Sequence, residues 1–360
     1  MRIIRHPQIK IYPDRGKHCF IGKIGNDVYR IFDILPVSDL TDEVADKEFH
    51  WGDYPSEFKP YRGWSGLKEA TIIQNICWLH GLAPRVYEIV GLEMESGKYF
   101  AQRIEDLAGQ PFCDEHNDAF PIYEKVKELG EIYGWHTEKD DVSRRDVMGG
   151  KLVDFNTFHF TEDHLDKIKQ IIRDKGHYGK TIYQDEPRLD IISTPRKTQH
   201  RIEAMKLDEI DFKGKSVLDL GCATGGFCRY ASDRGAGAVL GIDFEDVVGT
   251  DTREAAYLVA WELGYFDIEF EQMDLRVEKP PKADIVFFLS LDYHIGLPDW
   301  LAEVTNEVCV FELNTRGFNK DINIEKGTEN KLRVMFRKIK LVGRAEDQGN
   351  CQKPIYHCFK

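Results

Sequence analysis

No stretch of the chain is apolar for long enough to cross a membrane, and Met1-Arg2-Ile3-Ile4-Arg5-His6 has no signal-peptide core. Both absences lead to the expectation of a soluble, cytoplasmic protein with no membrane span. The chain has 8 cysteines but no Cys-x-x-Cys pair, which speaks against zinc and against a disulfide framework. Basic excess is missing as well. The formal net charge is −13, so an extended face for nucleic acid is not implied, although a local basic patch can hide in such a total. Neither an internal repeat nor a low-complexity tract interrupts the 360 residues. What is there is a hydrophobic fraction of 42%, enough over this length for two domains with cores of their own.

The organising stretch is Ser216-Val217-Leu218-Asp219-Leu220-Gly221-Cys222-Ala223-Thr224-Gly225-Gly226. It reads as a buried parallel strand, a tight turn and the start of a helix over residues 227–234, the arrangement that brings backbone close to a ligand. Asp219 at the strand end suits a cationic ligand better than a pyrophosphate. A second strand over 238–243 ends in Asp243, where an acid can take ribose hydroxyls. A third over 268–275 carries Asp274, placed to meet an adenine amino group. The apolar run 283–291 is a fourth, delivering Ser290 and His294 to the carboxyl edge, where α/β sheets bind ligands. Residues 308–314 bring Glu312 to the same edge. A helix over 298–306, another over 329–337 and a hairpin of 338–344 with 355–359 complete the sheet.

These residues resemble the class I S-adenosylmethionine (SAM) methyltransferases, with Ala223 in place of the middle glycine of their first motif. The resemblance implies a Rossmann-like seven-stranded domain over 201–360. Gly221, Ala223 and Gly225 would lie against the methionine part of SAM with Asp219 near its ammonium, Asp243 at the ribose, Asp274 at the adenine and Ser290 beside the cofactor. His294 and Glu312 are the candidate catalytic residues. Histidine titrates near neutrality and could act as base or contact the acceptor. For an acceptor that is already a phosphate anion, Arg316 or His294 would position it.

Two narrower resemblances lie in the same half. Residues 201–210, with Lys206, are similar to the entry of the FtsJ-like RNA 2′-O-methyltransferases, whose catalytic set is Lys-Asp-Lys-Glu. Thr224-Gly225-Gly226-Phe227 with Arg234-Gly235-Ala236 is similar to haemolysin-like members of that group. Glu312 stands where the second lysine would be. Gly241-Ile242-Asp243-Phe244, Tyr293-His294-Ile295, Glu312-Leu313 and Pro354-Ile355-Tyr356 resemble the methyltransferase half of O-antigen chain-terminating kinase–methyltransferases. That resemblance implies an acceptor such as a glycan or a phosphate group.

Before this lies a different pattern. Strands over 9–12, 18–24 and 28–35 alternate apolar and polar residues, a helix follows over 67–80, then strands over 86–92 and 99–104 and a helix over 122–136. Asp141, Asp146 and Asp154-Phe155-Asn156 then follow at spacings that resemble the protein-kinase fold. Arg30 falls at the nucleotide-binding lysine and Glu69 at the helix glutamate. The resemblance implies an N-terminal α+β kinase-like domain over 1–180, with Asp141 as base, Asp146 and Asp154 as metal ligands, and ATP with Mg2+ as cofactors. The glycine cover over the phosphates is reduced to Gly16, which points to a degenerate, non-phosphorylating form as an alternative. Residues 181–200 read as the linker. A regulatory binding protein built on two degenerate folds is the third reading. The sequence leaves the acceptor and the oligomeric state open.

Overall fold

The computed structural model describes residues 2–5, 7–15, 19–32, 63–94, 97–107, 110, 116–137, 146–153, 155, 158–175, 184–191, 198–244, 251–314, 322–347 and 351–360. The chain divides into two compact units, Met1–Ile168 and Lys169–Lys360. The junction lies before the residues expected to form a linker.

In the first unit, β1 (Arg2–Arg5), β2 (Lys10–Arg15), β3 (Cys19–Ile24) and β4 (Asp27–Phe32) precede helix α1 (Gly63–Leu79). Strands β5 (Val86–Met94) and β6 (Gly97–Ile104) follow, and the six form one sheet in the order β1-β5-β6-β4-β3-β2. All neighbours are antiparallel except β1 and β5. Strand β1 was not anticipated, because four residues with arginine at both ends carry no alternation to read. Helix α1 is buried on several sides: Leu67, Ile73, Ile76 and Cys77 meet apolar neighbours, while Thr71, Gln74 and Asn75 are equally enclosed. Each polar group is satisfied there. Asn75 exchanges two hydrogen bonds with the backbone of Val86, and Gln74 donates to Pro84 O.

Helix α2 (His116–Tyr133) starts earlier than its periodicity suggested and carries Pro121 within its length. It stops where Gly134 turns to φ 82°, and β7 (Trp135–Thr137) pairs with β10 (Phe158–Phe160). Between them β8 (Val147–Met148) and β9 (Lys151–Leu152) form a two-stranded hairpin. Helix α3 (His164–Lys175) crosses the junction.

The second unit is built on β11 (Ser216–Leu220), β12 (Ala238–Asp243), β13 (Glu269–Gln272), β14 (Ala283–Leu289), β15 (Thr305–Glu312), β16 (Lys338–Asp347) and β17 (Cys351–Phe359). Their order is β13-β12-β11-β14-β15-β17-β16. The first five run parallel, and β17 enters antiparallel between β15 and β16. The helices are α4 (Thr198–Ala204), α5 (Gly226–Asp233), α6 (Thr252–Glu262), α7 (Asp292–Ile295), α8 (Leu301–Val304) and α9 (Ile322–Met335). Continuous apolar runs such as Val286, Phe287 and Phe288 are enclosed on both faces, as parallel strands require. Each such side chain contributes about 1.5–3 kcal/mol by leaving water.

Boundaries differ from expectation in several places, and the final hairpin is longer in both strands, Lys338–Asp347 and Cys351–Phe359. The third strand ends at Gln272, so Asp274 sits beyond it rather than on it. The helix expected over 298–306 is reduced to one turn, because Thr305 and Asn306 already belong to β15. The helix expected over 329–337 begins at Ile322. Of the residues expected to be linker, 184–191 fold as a turn in which Glu186 and Ile191 pair across the 3-10 segment Pro187–Leu189.

Candidate functional site

The order of parallel strands reverses between β11 and β14, and crevices at such points take ligands. The turn after β11 and the residues after β14 meet there. Gly221 adopts φ 75°, and a Cβ on it would come within 3.2 Å of Leu291. Gly225, also at φ 75°, has Phe270 beneath it, 2.6 Å from where a Cβ would stand. Ala223 takes φ 48°, a strained choice for an alanine. Asp243 holds it there: Oδ2 accepts from Ala223 N at 2.6 Å, and Oδ1 from Phe244 N at 2.8 Å. The carboxyl is pushed up by burial, which these two backbone donors oppose. Each oxygen keeps a lone pair for a further donor, such as a sugar hydroxyl.

Asp219 is 1% exposed below the turn. Burial pushes its carboxyl up to about 7, against the hydrogen bond from the Cys228 thiol at 3.5 Å and with the nearby Asp243 charge adding to the rise. A cation arriving above Asp219 would favour the ionised form. The turn thus places one buried carboxyl, Asp219, below it and a second, Asp243, against its backbone. Asp274 is placed differently from expectation. Arg276 grips it through two bonds of 2.8 and 2.9 Å and holds its carboxyl below the usual range. The same guanidinium lies 4.9 Å over the Phe244 ring. Any contact from Asp274 to adenine would share the carboxylate with Arg276.

Ser290 and Glu312 belong to a buried ionic network. Glu312, 1% exposed, accepts from Arg201 Nη2 at 2.9 Å and Nε at 3.3 Å, and also from the Ser290 hydroxyl. Lys353, equally enclosed, donates to Ser290 Oγ at 2.9 Å. Burial alone would raise the Glu312 carboxyl, yet the Arg201 and Lys353 cations and the Ser290 hydroxyl hold it below the ordinary range. Glu312 thus ties β15 to α4 through Arg201 and, by way of Ser290, to Lys353 of β17. Ser290 adopts φ 61°, and Asn314 Nδ2 reaches its carbonyl at 3.4 Å. Asp292 accepts from Asn314 N at 2.9 Å, and burial pushes it up to about 6. His294 lies exposed in α7, edge-on to Tyr293 at 5.4 Å. Lys206 is exposed too, at φ 48°, and pairs loosely with Glu209 at 3.7 Å.

Sequence reasoning missed Arg201, Asp292 and Lys353. Lys353 gave no signal of its burial, since it stands between Gln352 and Pro354, ahead of the apolar residues of the last strand.

In the first unit, Asp141 and Asp154 lie outside the described residues. Asp146 is half-buried just before the β8–β9 hairpin, and its carbonyl accepts from Val153 N at 2.7 Å. No group of three or more His, Cys, Asp or Glu suited to a metal occurs among the described residues. Arg30 and Glu69 are bound to other partners. Arg30 donates to Gln74 and Gln102 Oε1 at 3.3 and 3.2 Å and to Val153 O at 2.7 Å, while Glu69 accepts from Phe160 N.

With this geometry in place, the relatives are informative. Residues 197–288 match the model of the FtsJ-like methyltransferase family. A ubiquinone biosynthesis O-methyltransferase of Neisseria meningitidis serogroup C is 35% identical over 109 residues, 28% of this chain and 44% of that one. A ribosomal protein L11 methyltransferase of Phocaeicola vulgatus is 29% identical over 138 residues, 36% of this chain and 48% of that one. The solved ribosomal protein L11 methylase of Lactobacillus delbrueckii subsp. bulgaricus is 20% identical, with a TM-score of 0.35 over 45% of this chain and 78% of its own. The chain spans less than half the length of the curated relatives it matches. Strand order, glycine turn and family match define one class: the second unit is a class I SAM-dependent methyltransferase domain. No helix among the described residues is long and apolar enough to cross a membrane.

Proposed function

We propose that the protein is a SAM-dependent methyltransferase whose first unit, kinase-like in kind, binds or phosphorylates the acceptor. The observation that carries the reading is the turn over Gly221–Gly225, clamped by Asp243 and lying above the buried Asp219, at the point where strand order reverses. SAM supplies an electrophilic methyl group; the chain's own task is to hold the cofactor and bring an acceptor in line with it. Asp243 would take the ribose hydroxyls and Asp219 would balance positive charge below the turn. His294, exposed at the same edge, is the group proposed to meet the acceptor. A glycan or phosphate acceptor follows from the resemblance to the O-antigen enzymes.

For the first unit, the order β2-β3-β4-β6-β5 with α1 between β4 and β5 supports a kinase-like lobe. Arg30 bound to amides and a carbonyl, and Glu69 bound to a backbone N–H, favour acceptor binding over phosphoryl transfer. Calorimetric titration of the full chain with SAM, then with ATP and magnesium, tests both halves. We expect heat with SAM; its absence rejects the methyltransferase reading. Heat with ATP and magnesium would keep phosphorylation open, to be decided by phosphate transfer to an acceptor; no heat would leave acceptor binding alone. His294→Ala is expected to lower turnover without changing SAM affinity, and intact turnover would remove His294 from the reaction.

The family match favours a second reading, RNA 2′-O-methylation. It would have to operate without a lysine at 312. Loss of RNA methylation in Lys206→Ala would support it; no activity on RNA by the wild-type chain would exclude it.

A further inference from the structure

We propose that residues 184–191 are part of the cofactor site, with Gln184 as the positioning residue of the glycine turn. The inference rests on the SAM reading given above. These residues precede the part matched by the methyltransferase family, which begins at 197. They were expected to be linker, yet Gln184 and Glu186 are 5% and 7% exposed. A buried amide or carboxylate in a linker has a partner that requires explanation.

The partners are the turn itself. Gln184 Oε1 accepts from Gly226 N at 2.7 Å and from Thr224 Oγ1 at 3.3 Å. Gly226 is the first residue of α5, and its N–H has no acceptor within that helix, so Gln184 serves as a cap supplied from outside the helix. The fit is close: a Cβ on Gly226 would stand 2.9 Å from the same oxygen. Gly225, at the usual capping position, has no side chain with which to do this.

Glu186 reinforces the arrangement from the same segment. Its carboxylate receives two bonds from the Arg188 guanidinium, at 2.7 and 3.0 Å, one from the Arg188 backbone N–H at 3.3 Å, and one from Arg229 Nε at 3.2 Å. Arg229 in turn donates to Thr224 O. The turn is therefore gripped on two sides. Asp243 fixes Ala223, while Gln184 and the Glu186–Arg229 pair fix Thr224 and Gly226. A ligand that needs Gly221, Ala223 and Gly225 in left-handed conformations meets a turn already in that shape, which lowers the entropy lost on binding. With the Gly226 N–H engaged by Gln184, that N–H is not free to donate to a ligand carboxylate. Cofactor affinity would then depend on residues outside the shared methyltransferase core.

The test uses the full chain as wild type, Gln184→Ala and Gln184→Glu. Calorimetric titration gives the Kd for SAM, and hydrogen exchange gives the protection of the Gly226 amide. Removing a cap of this kind is expected to weaken SAM binding about tenfold and to speed Gly226 exchange by a similar factor in Gln184→Ala. Gln184→Glu keeps an acceptor oxygen facing the Gly226 N–H and is expected to restore both to about wild-type values. Wild-type affinity in Gln184→Ala, or equal losses in both variants, would overturn the inference. If the wild-type chain gives no heat with SAM, the methyltransferase reading fails. Exchange then decides alone, and equal Gly226 exchange in all three proteins would overturn the positioning role too.

Discussion

Arg30 and Arg201 are two of the buried arginines among the described residues, and their surroundings differ. In the first unit Arg30 meets two side-chain amides and a backbone carbonyl, all neutral, among the described residues. In the second, Arg201 meets the carboxylate of Glu312, with Lys353 a further cation on the other side of Ser290. A guanidinium held by dipoles alone keeps its orientation but leaves its charge uncompensated by those partners. A guanidinium held by a carboxylate in a network ties three elements together and is costly to break. The first arrangement fixes a helix against a sheet; the second locks the carboxyl edge on which the methyltransferase site rests.

The sharpest way to break this contrast is Glu312→Ala, which leaves Arg201 and Lys353 buried without their carboxylate. Removing one partner of a buried pair is expected to cost about 3–5 kcal/mol. Denaturation followed by hydrogen exchange should localise the loss to the second unit. Replacing Arg201, Glu312 and Lys353 together by apolar residues should recover much of it, because no unpaired charge is left behind.

Asp219→Asn acts in the opposite direction. The unfolded carboxyl loses its proton near pH 4, while burial keeps the folded one protonated up to about 7. Between these values rising pH withdraws stability, and above about 7 the loss is complete. Asparagine has no such charge to bury. The variant is expected to unfold at higher denaturant concentration at pH 8, by on the order of 3–4 kcal/mol, with little change near pH 3.5. SAM binding should weaken at the same time, and a stabilised variant with unchanged SAM affinity would disconnect Asp219 from the cofactor.

Smaller effects are expected in the first unit and at the exposed edge. Arg30→Met strands Gln74, Gln102 and the Val153 carbonyl, at about 1–3 kcal/mol. SAM affinity should not move, which exchange and titration can separate. His294→Ala, at an exposed position, is expected to leave the denaturation midpoint within about 0.5 kcal/mol of wild type.

What was legible in the sequence followed from burial. The parallel strands could be read because both of their faces are apolar, and the glycine turn because few other residues permit its backbone. Asp219 and Asp243 were placed correctly at strand ends for that reason. The roles of Asp274 and Glu312 were not legible, since each depends on a partner distant or unremarkable in sequence: Arg276 two positions on, Arg201 and Lys353 on other elements. Residues 184–191 were hidden for another reason. A short polar segment with a proline looks like a connector until its side chains are seen to be buried. In the first unit β1 and the true start of α2 lacked periodicity to announce them.

The placement of β17 between β15 and β16 has a consequence for synthesis. The ribosome makes Glu312 before Lys353, at roughly 5–20 residues per second. Until β17 docks, β15 lacks the partner it has on that side in the finished sheet. An unpaired central strand of this kind is the surface on which chaperones act and from which aggregation starts. The last strand thus does two jobs on arrival: it closes the edge, and it delivers the ammonium group that completes the network beneath Ser290. Variants that slow or weaken its docking should reveal themselves first in yield from the cell, before any change in the finished protein.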